Sequence, residues 1–223
     1  MTRLQHGCKM IGIIVLAGGQ GRRMGGQDKG WCLYGNHSCI ELVLSQLAVQ
    51  IDEIKALSCA DCQTDFKVFI SANRHLNQYH TLGLDVITDE RKGFCGPLAG
   101  VESVIHYQQE QEKAVGVLKN NRVQRWIICP VDSPTLPANY LKKMLNVNTA
   151  QIAYAEQGSR KHFAHLSIPA TQSASLSAYL DSGQRSIKHW LFQARFESLL
   201  TAVPFSKTEC SLLNLNTLNI KQA

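Results

Sequence analysis

A run of β-branched and other apolar residues, Lys9 to Ala17, ends at the glycine pair Gly18 and Gly19. An apolar run without polar alternation is typical of a central strand in a parallel sheet, because both faces of such a strand are covered. Glycines after the strand allow the main chain to turn and to approach a ligand closely. This feature therefore predicts an α/β protein whose first loop carries a binding site at the carboxyl end of the sheet.

Strand-like and helix-like segments alternate through the first two thirds of the chain, which argues for a parallel sheet covered on both faces. The helix after the first loop is predicted over Cys39–Gln50, where apolar residues recur at i, i+3, i+4 and i+7. Further strands are predicted at 67–71, 84–88 and 125–129, and further helices at 73–82, from Pro97 onward and at 137–145.

The pattern changes after about residue 148, where two predicted strands, 150–155 and 162–168, are joined by a polar turn. Helices at 171–180 and 184–194 and a strand at 200–204 are predicted to follow. We therefore predict one domain, residues 1–223, with a three-layer Rossmann-like α/β fold and a mostly parallel central sheet. Residues 9–147 would form its core, and residues 148–223 an appended C-terminal lobe.

Composition excludes several classes of protein. The chain of 223 residues is 44% apolar and 18% charged, as a globular protein is, and no stretch approaches the ~20 apolar residues of a membrane span. Its 23 basic and 17 acidic residues are scattered, so nucleic-acid binding is not indicated. We recognise no secretory leader, and we expect a cytoplasmic monomer with reduced thiols.

Two of the eight cysteines, Cys59 and Cys62, form a C-x-x-C pair. A structural zinc site usually needs four ligands, and no second pair follows at a suitable spacing, so we interpret this pair as incidental or weakly stabilising. His162 and His165 are spaced like a ligand pair. On the predicted strand, however, that spacing puts their side chains on opposite faces.

The loop from Leu16 to Lys29 combines glycines with basic side chains, which suits phosphate binding. Two common phosphate-loop patterns do not fit it. A G-x-G-x-x-G motif would need glycine where Met24 stands, and a Walker A motif would need glycine where Asp28 stands. We therefore predict a phosphate loop of another kind, in which backbone N–H groups cradle the phosphate and Arg23 and Lys29 supply positive charge.

Asp132 follows an apolar strand and lies between Pro130 and Pro134. A carboxylate in this place suits Mg2+, which is commonly bound by one or two carboxylates together with the oxygens of a nucleotide phosphate. The alternative role of Asp132 is a helix cap. With the glycine-rich loop present in the same chain, we favour Mg2+ binding.

The loop Leu16-Ala-Gly-Gly-Gln-Gly-Arg-Arg-Met-Gly-Gly-Gln-Asp-Lys29 resembles the signature of nucleotidyltransferases with the glycosyltransferase-A-like fold. Its form is most similar to that of the molybdenum cofactor guanylyltransferases. Further segments are similar to that family in the same order along the chain: Ser71–Arg74, Asp89, Gly96–Gly100, Cys129–Pro134, Gly183 with Arg185, and Leu213–Thr217. The resemblance extends over nearly the whole chain.

The resemblance implies transfer of GMP from GTP to molybdenum-loaded molybdopterin, with release of pyrophosphate and with Mg2+ as cofactor. The nucleotide contacts that it implies are Leu16, Ala17, Gly18, Gly19, Lys29, Asp89, Gly96 and Asp132. It also implies catalytic roles for Arg23, Lys29 and Asp132, and metal binding by Asp132. The lobe 148–223 would bind the acceptor through Arg185, Asn214 and Asn216, and molybdoenzymes or their chaperones would be transient partners.

This chain departs from the family at Ser71, where the family usually has an asparagine that contacts guanosine. Serine offers fewer hydrogen bonds than asparagine, so the preference for guanine stays open. Asp89, Gly96 and Arg185 each have a purely structural alternative, as a turn, a packing position or a surface ion pair. Two other functions stay open as well: a CTP-dependent or sugar-phosphate nucleotidyltransferase, and a non-catalytic protein that delivers the pterin.

Overall fold

The structure is a computed structural model of the chain, and it describes residues 9–19, 27–58, 63–93, 95–193, 196, 198–206 and 212. Its strands, numbered in chain order, are β1 Lys9–Leu16, β2 Leu33–Tyr34, β3 His37–Ser38, β4 Thr64–Ser71, β5 Asp85–Ile87, β6 Val123–Pro130, β7 Ile152–Gln157, β8 Arg160–Pro169 and β9 Leu200–Phe205. Its helices are α1 Cys39–Leu57, α2 Leu76–His80, α3 Pro97–Ala114, α4 Tyr140–Leu145, α5 Ser173–Asp181 and α6 Ile187–Leu191.

The central sheet has seven of these strands in the order β5-β4-β1-β6-β8-β7-β9. β5, β4, β1 and β6 are parallel, and β8 runs antiparallel between β6 and β7. β9 is parallel to β7 at the far edge. The predicted α/β fold with a mostly parallel sheet is therefore confirmed. The C-terminal third of the chain adds three strands to the same sheet, so it is joined to the core by continuous strand pairing.

Helices cover both faces of the sheet and create two apolar cores. Ile13 and Val15 of β1 point into the core covered by α1 and α4, whereas Ile14 points into the core covered by α3 and α5. All three side chains are fully buried, which explains why this strand shows no polar alternation. Gly12 leaves room for the indole of Trp126 on β6, because a Cβ at residue 12 would overlap that ring.

Local signals set the bounds of the helices. Ser38 and Glu41 form a reciprocal capping box at the start of α1, which then continues to Leu57, well beyond the predicted end at Gln50. The helix predicted over 73–82 is confirmed only for 76–80. His75 precedes it with φ of 50°, in the left-handed region, so the helix cannot begin earlier.

The helix predicted over 184–194 is likewise shorter, because α6 begins only after its N-cap Ser186. Gly183, with φ of 84°, ends the preceding helix α5 in the left-handed conformation that favours glycine. Among the described residues, no helix combines the length and apolar character needed to cross a membrane.

Candidate active site

A cavity of about 430 Å3 opens at the carboxyl ends of the parallel strands. It is bounded by the residues after β1, the ends of β4 and β6, the loop after β5 and the first turn of α3. The predicted nucleotide contacts all line it, namely Leu16, Ala17, Gly18, Gly19, Lys29, Asp89, Gly96 and Asp132. They converge because the carboxyl ends of parallel strands meet at one edge of the sheet.

The start of the glycine-rich loop is held between the ends of the two neighbouring strands. The N–H of Ala17 donates to the carbonyl of Ser71 at 2.8 Å, and the N–H of Val131 donates to the carbonyl of Leu16 at 3.0 Å. A Cβ at Gly18 would lie 3.0 Å from Nδ2 of Asn73, so a larger residue would crowd that amide. The loop therefore begins as a fixed stretch of main chain beside the cavity.

Lys29 and Asp132 form an ion pair in the cavity wall, with 2.8 Å between Nζ and Oδ2. The lysine follows the glycine-rich loop, and the aspartate follows β6, 103 residues later. Their side chains are only 21% and 14% exposed, and this shielding from water strengthens their attraction relative to a fully exposed pair. The fold thus brings a cation and a carboxylate together where the sequence predicts phosphate and metal binding.

The setting of Asp132 fits a magnesium ion that is shared with a substrate. In the part of the chain that the structure describes, no three histidine, cysteine, aspartate or glutamate side chains form a group that could hold a metal. Mg2+ does not require such a cage, since it commonly combines one or two carboxylates with phosphate oxygens and water. The carboxylate of Asp132, shielded from water and open to the cavity, can supply the one protein ligand that such a magnesium site needs. The adjacent lysine can bind the same phosphate.

Asp28 fixes the main chain immediately before Lys29. Its Oδ1 accepts a hydrogen bond from the N–H of Gly30 at 3.0 Å and another from the hydroxyl of Tyr79 at 2.6 Å. Asp28 is 8% exposed and Tyr79 is fully buried. Burial and the adjacent carboxylate raise the pKa of Tyr79, so its hydroxyl stays a donor. The sequence carries no signal for Tyr79, which lies on α2 and meets Asp28 only in the folded chain.

At the other end of the cavity, Asn73 holds Asp89 in place. Oδ1 of Asn73 accepts from the N–H of Asp89 at 2.8 Å, and the Asn73 side chain also hydrogen-bonds to the Asp89 carboxylate. Burial raises the pKa of Asp89, and the bond from Asn73 opposes that rise. The predicted helix over 73–82 had included Asn73. Asn73 lies instead before α2, within the segment Ser71–Arg74 that resembles the family, and there it positions Asp89, a role that was not predicted.

The first turn of α3 closes the cavity wall, and two glycines make this possible. Gly96 has φ of 80° and precedes Pro97, the first residue of the helix. A Cβ at Gly100 would overlap Oγ of Ser71 and would lie 3.2 Å from Oδ1 of Asp89. The N-terminus of this 18-residue helix, which favours anions, therefore lies against the strand ends.

The predicted acceptor-binding residues are only partly within the described structure. Nη1 of Arg185 donates to the carbonyls of Leu180 and Gln184, both at 2.7 Å, and the main chain of Arg185 packs against Gly96. Its guanidinium thus holds the end of α5 beside the cavity wall. Arg23, Asn214, Asn216, Cys59 and Cys62 lie outside the described residues.

The expectation that His162 and His165 lie on opposite faces of a strand is wrong, because their ring centroids are 6.1 Å apart. The pairing of β7 with β8 shifts register after Tyr154, and the extra residues of this bulge break the alternation. His165 is buried and hydrogen-bonded to Tyr140 and Ser133, both at 3.1 Å. Burial lowers the pKa of His165 to about 3, so it is a neutral structural group beside the Asp132 loop.

Comparison with known proteins connects this site to a family. The family model described as a MobA-like NTP transferase domain matches residues 13–197. The molybdenum cofactor guanylyltransferases of Shewanella halifaxensis (strain HAW-EB4) and Shewanella sp. (strain MR-4) are each 29% identical to this chain over 215 residues. These alignments cover 95% of this chain and 92% and 93% of the two relatives.

Solved structures show the same architecture. Molybdopterin-guanine dinucleotide biosynthesis protein A from Archaeoglobus fulgidus aligns with a TM-score of 0.58 at 17% identity, covering 87% of this chain and 83% of that one. The manganese complex of Rv0371c from Mycobacterium tuberculosis H37Rv aligns with a TM-score of 0.57 at 12% identity, covering 90% and 89%. At these identities the likeness shows the fold alone. The family model, by contrast, spans most of the sequence, so the chain belongs to the MobA-like NTP transferase family and is a nucleotidyltransferase.

Proposed function

We propose that this chain transfers the GMP part of GTP to molybdenum-loaded molybdopterin and releases pyrophosphate, with Mg2+ as cofactor. The observation that carries the proposal is the ion pair of Lys29 and Asp132, 2.8 Å apart in the wall of the cavity. The relatives named molybdenum cofactor guanylyltransferase, which align over 95% of this chain, support the choice of substrates.

In this proposal GTP lies along the cavity, with its triphosphate beside the glycine-rich loop. The main chain of Gly18 and Gly19 can approach the phosphates because no side chain stands in the way. Lys29 places its charge at the same end and neutralises part of the phosphate charge. At the other end, the carboxylate of Asp89 accepts hydrogen bonds from the N–H groups of guanine, and Asn73 keeps that carboxylate in place.

Asp132 would hold Mg2+ together with phosphate oxygens of the nucleotide. When bound there, the ion neutralises charge on the triphosphate and favours the departure of pyrophosphate. Lys29 lies against Asp132, so the protein's own cation acts on the same phosphates. Arg23 is proposed to add charge there, and the proposed acceptor contacts are Arg185, Asn214 and Asn216.

The reaction is a substitution at the α-phosphorus of GTP. An oxygen of the terminal phosphate of the pterin forms a new P–O bond in line with the bond that breaks, and pyrophosphate leaves with the electron pair of that bond. The attacking oxygen is already ionised, so no side chain has to remove a proton. The enzyme's task is to bring two anions together and to stabilise charge in the transition state, and Lys29 serves both purposes.

Transfer of CMP from CTP is a second candidate, because Ser71 lines the base end of the cavity in this chain. Ser71 is 2% exposed and offers one short hydroxyl. The choice of base then depends more on Asp89 and Asn73, and a carboxylate can accept hydrogen bonds from the amino group of cytosine as well as from guanine.

The test is pyrophosphate release with GTP, ATP or CTP, each with and without molybdenum-loaded molybdopterin and in the presence of Mg2+. We expect release only with GTP and the acceptor together. Asp132→Asn should lower the rate by about 100-fold or more, since metal binding supplies several kcal/mol of charge stabilisation. Asp52→Asn, the same change on an exposed position of α1, should not. Release with CTP selects the second candidate, and a near-native rate for Asp132→Asn contradicts the metal assignment.

A further inference from the structure

The order of the strands divides the cavity into two sides: the side proposed to hold the nucleotide, and the side beyond Asp132. Its wall passes from Asp89 after β5, through Ser71 on β4 and Gly18 after β1, to Asp132 after β6. Among the described lining residues, Ala164 of β8 lies beyond Asp132 in this direction. If the nucleotide extends from Asp89 to Asp132, a second substrate that attacks the α-phosphorus beside Asp132 approaches from β8.

The strands on the side beyond Asp132 project over the edge of the sheet. β8 pairs with β6 only through residues 166–169, whereas its earlier residues pair with the end of β7 alone. The hairpin formed by β7 and β8 therefore extends beyond the end of β6, next to Asp132. From Ala164 to Lys161 the strand covers about 10 Å at ~3.3 Å per residue.

This hairpin and Phe192, which directly follows α6, form an aromatic surface with a cation at its edge. The ring of Phe163, the neighbour of Ala164, lies 5.7 Å from the ring of Phe192 and nearly perpendicular to it. Nζ of Lys161 lies 5.7 Å from the Phe192 ring centroid and 5.8 Å from that of Tyr154. Phe192 is 51% exposed, so part of its ring stays open to solvent beside these neighbours. We refer to Phe163, Phe192 and Lys161 as the aromatic shelf.

We propose that the aromatic shelf binds the planar heterocycle of the acceptor, an inference that rests on the proposed transfer to a phosphorylated pterin. An exposed aromatic ring offers a face for stacking, and ring stacking is a general means of holding flat heterocycles. The cations of Arg160, which is also exposed, and Lys161 complement the negative charge of such a substrate. Ala164, which follows Phe163 on β8, lines the cavity, so a molecule that stacks on the shelf would have the cavity one residue away and could extend its phosphate toward Asp132.

The experiment compares Phe192→Ala and Lys161→Gln with the native chain. Both residues are exposed, so the fold should tolerate the changes, and equal melting temperatures check this. The matched control is Leu118→Ala, which truncates a 72% exposed apolar residue before β6, at the opposite edge of the sheet. Two quantities are measured for each variant: the dissociation constant of GTP with Mg2+, and the KM for molybdenum-loaded molybdopterin at saturating GTP.

We expect Phe192→Ala to raise the acceptor KM about tenfold, the range of a lost stacking contact. Lys161→Gln should raise it about threefold and weaken its dependence on salt, because a screened charge is removed. GTP affinity should stay within twofold in both variants, and Leu118→Ala should change neither quantity. Acceptor KM values within twofold of native in both variants overturn the inference. Failure of the native chain to bind GTP or to release pyrophosphate refutes the proposed function instead. Direct titration with metal-free molybdopterin then still tests the shelf.

Discussion

Replacement of Tyr79 by phenylalanine tests whether the structure around Lys29 depends on a single buried hydroxyl. That hydroxyl donates to Oδ1 of Asp28 at 2.6 Å, and when it is removed this oxygen keeps the hydrogen bond from the N–H of Gly30 but loses the one from the buried hydroxyl. A hydrogen bond to a charged group contributes about 1.5–3 kcal/mol, so we expect a loss of about 2 kcal/mol of folding free energy. For a chain of this size that corresponds to a fall in melting temperature of about 4–8 °C.

Tyr79→Phe should also lower the activity, through its effect on Lys29. Without the hydrogen bond from Tyr79, Asp28 fixes the main chain before Lys29 less firmly, and Lys29 is held less firmly beside Asp132. We therefore expect kcat/KM for GTP to fall about tenfold, or ~1.4 kcal/mol. The decisive assay is a double-mutant cycle with Lys29→Ala. In the Lys29→Ala background, Tyr79→Phe should still lower the melting temperature but should not reduce kcat/KM further.

A matched control removes a hydroxyl elsewhere on the same fold. Tyr107 lies ten residues into α3 and packs edge-on against Phe69, about 15 Å along the helix from the cavity. Tyr107→Phe should leave kcat/KM unchanged. Losses from Tyr79→Phe and Lys29→Ala that simply add would refute the reasoning, because they would show that Tyr79 acts independently of Lys29.

Three further results are expected. Gly100→Ala should weaken GTP binding at least about tenfold, because the new methyl group overlaps Ser71 and displaces Asp89; unchanged affinity by calorimetry would contradict this. Burial raises the pKa of Asp89, so GTP affinity should begin to fall at a higher pH than an ordinary aspartate would allow; titration of Asp89→Asn should show no such fall. His165 has a pKa of about 3 when folded and near 6.5 when unfolded, so the unfolded chain binds the extra proton between these values. Urea unfolding should therefore show stability lost as pH drops below 6.5, by up to ~1.4 kcal/mol per unit, and His165→Asn should remove this part of the slope.

The strands of the sheet could be predicted where their apolar sequence pattern results from burial on both faces. Residues 10–16 of β1 and 126–130 of β6 are continuous apolar runs, because both faces of these strand segments are covered. The bounds of helices depend instead on a few local conformations. The left-handed residue His75 shortens α2, and its identity alone does not predict that conformation, which is uncommon for any residue other than glycine even though histidine is among those enriched in it.

The site could be predicted to the extent that it consists of residues at strand ends. Glycines after β1, Lys29 and Asp132 were all identifiable, because a parallel sheet brings such residues to one edge. Tyr79 was not identifiable, and Asn73 was identified only as part of the segment Ser71–Arg74, since each acts by holding another residue across the fold. Such contacts depend on the distances between helices and strands in the folded chain, and a local pattern of residues does not predict those distances.

The bulge in β8 shows why the far side of the site is the hardest part to foresee. In a strictly alternating strand, His162 would face one layer, and Phe163 and His165 would both face the other. The register shift after Tyr154 instead brings the two histidines to one face, where His165 supports the loop that carries Asp132. An antiparallel strand beside β6 also returns over the edge where the parallel strands end. The same irregular hairpin therefore both stabilises the proposed metal ligand and forms the surface from which a second substrate would reach it.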